Sequence, residues 1–153
     1  MIKDYKMKAC LARMTSIEER MTGDTVKDYQ LLYTFKDEIK GSSRKNNQRK
    51  IRANLGLIYL LLFHPSALVR HEAAFVLGEY GDRPVSFLRV SALADSSAVV
   101  RHEASLALST YSQRALAERN VSVLEYISRN DKTQLVKDTA KVALNLLSKK
   151  YSI

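Results

Sequence analysis

Two short strings, His71-Glu72 and His102-Glu103, carry the clearest chemical potential in this chain. Each sets an imidazole beside a carboxylate, and the two stand 31 residues apart in the same Arg-His-Glu-Ala wording. Brought side by side by stacking, they offer four nitrogen and oxygen ligands, a set suited to iron, manganese, zinc or another divalent transition metal. Two imidazoles and two carboxylates are enough for one metal ion, or for half of a dinuclear centre that a homodimer would complete. The plainer reading needs no cofactor: each histidine is a partly buried polar filler, and each glutamate pairs with a neighbouring arginine. No other catalytic constellation stands out. Cys10 has no histidine near it in sequence, no glycine-rich phosphate loop occurs, and His64 sits at a helix start, where it suits a cap better than a base.

The elements that must position these pairs are legible because the stretch is written twice. His64 to Tyr80 returns as Asp95 to Tyr111, with nine of seventeen aligned positions identical, among them Val69/Val100, Arg70/Arg101, Ala73/Ala104, Leu77/Leu108 and Tyr80/Tyr111. A period near 30 residues with one helical unit per period marks a stacked repeat protein. A degraded third copy starts at Asn130-Asp131, where Lys137-Asp138-Thr139 stand in place of Arg-His-Glu. At 100° per residue, Val69, Ala73, Val76, Leu77 and Tyr80 share one face. Leu68 and Phe75 form a second apolar face, read as contact with a neighbouring repeat. Ala73 and Ala104 are small enough for close helix approach. Pro65 suits the first helical position, with His64 at the N-cap and Asp95 in the equivalent place. Arg70 and Arg101, with their planar forks, are expected to reach Asp95 and Asp131 of the adjacent repeats as a structural ladder.

The expected architecture is all-α: about three helix pairs, over residues 49–80, 84–112 and 120–149, form a repeat region from 41 to 153 within one compact domain overall. Residues 1–40 read as an N-terminal helical cap that does not match the repeat and closes its apolar end. Within it, Lys3 to Met14, a segment opened by Ser16 with Glu19 as a capping box, and Thr25 to Ile39 show helical spacing. Tyr29, Tyr33 and Tyr59 have the spacing of core. Gly41 to Gln48 is a loop by composition, and the last repeat is expected to be polar on its outward side.

The pattern Asp-x-x-x-Val-Val-Arg-His-Glu-Ala-x-x-Ala-Leu, preceded by Pro-x-x-x-Leu-x-x-x-Leu-x-Asp, resembles HEAT-like repeats of the phycobilisome-lyase type over roughly Arg49 to Lys150. That resemblance implies an α-α superhelix of paired antiparallel helices and a role as an interaction scaffold. His71-Glu72 and His102-Glu103 are also similar to the His-Glu pairs that hold two irons in deoxyhypusine hydroxylases. Four such pairs belong to that pattern, and two are present here.

Charge adds a third possibility. The chain carries a net +9, of which +6 lies in the first 52 residues. Lys40, Arg44, Lys45, Arg49, Lys50 and Arg52 form a run without an acid, able to grip a nucleic acid or an acidic partner. No aromatic residue interleaves the run, and a solvated loop and helix end explain it equally well. One cysteine excludes an internal disulfide. The longest apolar run, Leu55 to Phe63, is nine residues, against roughly 20 for a bilayer span, so no membrane crossing is expected and the cytoplasm is the default location. The expected function is a non-enzymatic scaffold for protein–protein interaction, with the di-iron and nucleic-acid readings as alternatives.

Overall fold

The computed structural model describes residues 22, 24–41, 47–80, 85–111 and 114–152. The helices expected before residue 22, the bases Arg44 and Lys45, most of the Gly41–Gln48 loop, and Gly81 to Pro84 lie outside the described residues. Among those described there are seven helices and no strand: α1 Thr25–Lys40, α2 Asn47–Phe63, α3 Ala67–Tyr80, α4 Val85–Ala94, α5 Ala98–Ala107, α6 Arg114–Asn130 and α7 Gln134–Tyr151. They build an all-α solenoid of two rows. The odd-numbered helices stack in order, α1 on α3, α3 on α5 and α5 on α7, and the even-numbered helices lie behind them. Short connections turn α2 into α3, α4 into α5 and α6 into α7, giving three helix pairs.

The repeated small and branched residues set the spacing. Val69, Val100 and Val136 are fully buried at the third position of their helices, and Ala73, Ala104 and Ala140 are fully buried at the seventh. Alanine at every crossing lets neighbouring odd helices approach closely. One close approach of α3 to α5 is at Gly78, where an added Cβ would lie 2.7 Å from the Cβ of Ala107 and 3.2 Å from its Cα. Gly56 serves α1 in the same way, because a Cβ there would meet the Phe35 ring at 2.5 Å.

Residues up to 40 show no match to the repeat in sequence, yet α1 occupies a place in the odd row and is in register with it. Asp24 caps it, its Oδ1 accepting the N–H groups of Val26 and Lys27 at 2.9 and 3.3 Å. Counting from each helix start, Asp28 is the fourth residue of α1 as Arg70, Arg101 and Lys137 are of α3, α5 and α7. Tyrosines tie the opposite ends of the same helices. The Tyr151 hydroxyl donates to the Tyr111 carbonyl at 2.7 Å, and the Tyr111 hydroxyl to the Leu77 carbonyl at 3.4 Å.

Candidate functional site

The first set of polar contacts runs along the helix starts. Arg70 forks onto Asp95, with Nε 2.8 Å from Oδ2 and Nη2 3.0 Å from Oδ1, while its Nη1 donates to the His64 carbonyl at 2.8 Å. Arg101 repeats the arrangement atom for atom, reaching Asp131 at 2.8 and 3.1 Å and the Asp95 carbonyl at 2.8 Å. Asp95 stands two residues ahead of the N-cap, not at it. Its Oδ1 accepts the Ser97 N–H at 2.8 Å, and Asp131 accepts the Thr133 N–H at 2.8 Å. The turn before each helix is thereby tied off by a side chain that also binds the previous repeat. For the same reason α3 begins at Ala67 and not at Pro65. Burial pushes the Asp131 carboxyl up, but the hydrogen bonds from Arg101 and Thr133 outweigh it and hold the group at about 2.

His64 extends this ladder with donor and acceptor exchanged. Its Nδ1 accepts the Ser66 N–H at 3.1 Å, so the neutral ring carries its proton on Nε2, which faces Asp28 Oδ2 at 3.1 Å. Both side chains are buried. Thr22 adds a backbone N–H to Asp28 Oδ1 at 2.9 Å.

The second set crosses the exposed face of the odd row at the fifth, sixth and ninth helix positions. The Tyr33 hydroxyl of α1 donates to Glu72 Oε1 of α3 at 3.0 Å. His71 Nε2 of α3 lies 3.4 Å from Glu103 Oε2 of α5. His102 Nδ1 of α5 lies 2.6 Å from Thr139 Oγ1 of α7. The Thr139 hydroxyl spends its proton on the Leu135 carbonyl at 2.8 Å, so it accepts from the Nδ1–H of His102. Each seam between neighbouring odd helices is thus stitched once. His71, Glu72, His102 and Glu103 aim their polar atoms at neighbouring helices, and among the described residues no three His, Cys, Asp or Glu side chains gather closely enough to hold a metal ion. Glutamate pairs here with tyrosine and histidine, not with arginine, because both arginines are taken by the ladder. The Glu103 carboxyl is pushed up by burial, countered by His71 and His102 and reinforced by Glu72 and Glu79. The Tyr33 phenol is held above its ordinary range by hydrogen bonding with Tyr29, then with Glu72.

Two apolar rows flank these stitches. Val26, Leu68, Val99 and Leu135, each the second residue of its helix, are 67, 57, 46 and 50% exposed. Tyr33, Phe75 and Val142, each the ninth, are 37, 40 and 51% exposed, and Leu106 fills the same position in α5 half-buried. The face of Leu68 and Phe75, expected to pack against a neighbouring repeat, faces solvent instead. In α3, α5 and α7 the third and seventh positions are buried against their neighbours, which turns the second and ninth toward the opposite side. Tyr33, expected in the core, lies on this surface. At the N-terminal end of the face an apolar cleft of about 320 Å³ opens between Val26, Tyr29 and Leu68.

A sequence model of HEAT repeats matches residues 54–145. The chain belongs to the HEAT repeat family. No curated protein and no solved structure matches it. The match covers the three helix pairs but stops short of α1, whose membership in this HEAT stack rests on its packing and register. Of the basic run, Lys40 ends α1 with its Nζ 4.4 Å from the centre of the Tyr80 ring. Arg49, Lys50 and Arg52 fall in the first turns of α2, where the helix dipole disfavours cations. The last HEAT helix exposes Lys141, Lys149 and Lys150, but also Leu135, Val142 and Leu146, so it is mixed where a polar surface was expected. No helix among the described residues is long and apolar enough to cross a membrane.

The residues hardest to find from sequence were Asp28 and Tyr33. Neither belongs to a shared motif. Counting positions from each helix start is the signal that brings them into line with Arg70 and Phe75.

Proposed function

We propose that the chain is a non-enzymatic protein-interaction module that receives its partner on the exposed face of the odd-numbered helices. One observation carries this reading: apolar side chains stand exposed at the second and ninth positions of successive helices, in register along the stack. Single exposed apolar residues are ordinary on a protein surface, but contiguous rows mark interaction sites. The even-numbered row exposes Ile51, Phe63, Phe87, Val90, Leu93 and Tyr126, and of these only Val90 and Tyr126 coincide in register when counted back from Asp95 and Asp131. Repeat stacks favour such use, because a regular array presents an extended surface built from equivalent positions.

A photo-crosslinking amino acid at Val99, compared with one at Val90, tests the assignment in cells that make the protein. A defined adduct from position 99, absent from position 90 and lost when Leu68 and Leu135 are changed to serine, is the expected result. Adducts from position 90 alone, or adducts from 99 that ignore the serine changes, refute it.

A further inference from the structure

The floor between the two apolar rows is formed by the fifth and sixth residues of the odd helices: Tyr29-Gln30, His71-Glu72, His102-Glu103 and Asp138-Thr139. Three of these eight are carboxylates, and none is a lysine or arginine. The arginines just before them are turned away into the ladder, where Asp95 and Asp131 bind them. Glu79 adds a fourth acid to the α3 surface. The strip is therefore acidic at its centre, although the chain as a whole carries +9. Hydrogen bonds leave much of this acidity in place. Glu72 accepts one hydrogen bond from Tyr33, and Glu103, largely buried, lies 3.4 Å from His71 Nε2. Asp138 alone meets a lysine, Lys141, at 3.1 Å on an exposed site.

The dimensions suit one kind of occupant. The second and ninth residues of a helix are seven apart, or about 10 Å at 1.5 Å per residue, which is close to the diameter of an α-helix. Neighbouring helices stack at about 8–10 Å, so a helix lying along the strip passes one repeat in roughly one heptad. Resting on the docking face proposed above, we infer that its occupant is an amphipathic helix of a partner protein whose lysines or arginines lie over Glu72, Glu103 and Asp138, with apolar side chains set against the two rows. Charge complementarity decides the sign. An acidic helix would suit the net charge of the chain but would face Glu72, Glu103 and Asp138, of which Asp138 has a lysine beside it.

Two labelled synthetic helices test this, identical in their leucines and differing only in lysine or glutamate at the positions facing the floor. Fluorescence anisotropy with the intact protein should show the lysine peptide binding at least about tenfold tighter, on the scale of a few partly exposed ion pairs. Glu72→Gln with Asp138→Asn should reduce that preference to about threefold or less, and Leu68→Ser with Phe75→Ser should weaken both peptides. Equal binding, preference for the glutamate peptide, or no binding of the lysine peptide overturns the inference. If the serine changes matter but peptide charge does not, the docking face stands and the partner's charge was misassigned. If charge matters but the serine changes do not, the docking face itself is wrong.

Discussion

Asp131→Asn changes one atom and removes one charge at the seam between the second and third helix pairs. In the folded protein Asp131 titrates at about 2, against about 3.9 for an unperturbed aspartate. About 1.9 units at 1.36 kcal/mol each amount to about 2.6 kcal/mol of pH-dependent stability. Because the folded value is the lower one, this contribution is fully present above about pH 5 and disappears as pH falls through about 2. The asparagine keeps an acceptor for Arg101 or Thr133 but leaves the buried guanidinium without its counter-charge. Breaking one side of such a pair costs about 3–5 kcal/mol, so a loss of about 2–4 kcal/mol at neutral pH is expected. Urea unfolding followed by circular dichroism, run on both proteins from neutral pH down to about pH 3, measures it. Wild type should lose its advantage on acidification, and the variant should change less. Because stacked repeats touch only their neighbours, α6 and α7 should open first in the variant and lower the urea m-value. A neutral-pH difference under about 0.5 kcal/mol, or a difference that does not change with pH, would show that the ladder is ornamental.

Two other perturbations probe the packing and the first rung. Gly78→Ala places a methyl against the backbone and Cβ of Ala107; the strain of about 1–3 kcal/mol should exceed the gain of about 1 kcal/mol in helix propensity, and Ala107→Gly should relieve it in a melting-temperature comparison. His64→Ala strips the buried Asp28 of its imidazole and should cost about 3 kcal/mol, with hydrogen exchange showing faster opening in α1 than in α7; uniform exchange across the odd helices would contradict the assigned role.

What could be read from the chain alone was whatever repeated in type. Val69, Ala73 and Leu77 recur as Val100, Ala104 and Leu108, and close packing demands a particular size at each place, so the core face and the helix pairs were visible. The Arg–Asp ladder was visible because Arg70 recurs as Arg101 and Asp95 as Asp131. The docking rows were hidden because exposure, not identity, defines them. Val26, Leu68, Val99 and Leu135 prove exposed only once the packing of the odd helices is known. The place of α1 was hidden by an inversion. Where the other rungs put a base on the helix and an acid on the following turn, α1 offers Asp28 and the turn answers with His64. The same bond runs with its polarity reversed, and no alignment by residue type can see it.

The two residues of each His-Glu pair face opposite ways along the stack. At the fifth position a histidine serves the next helix: His71 reaches Glu103, and His102 reaches Thr139. At the sixth position an acceptor serves the previous one: Glu72 takes Tyr33, Glu103 takes His71, and Thr139 takes His102. In α7 the sixth position again holds an acceptor, Thr139, while Asp138 at the fifth turns to Gln134 and Lys141 on its own helix at 2.8 and 3.1 Å. The two His-Glu pairs divide along the seams, one residue of each facing the previous odd helix and the other the next, which is what a structural stitch requires.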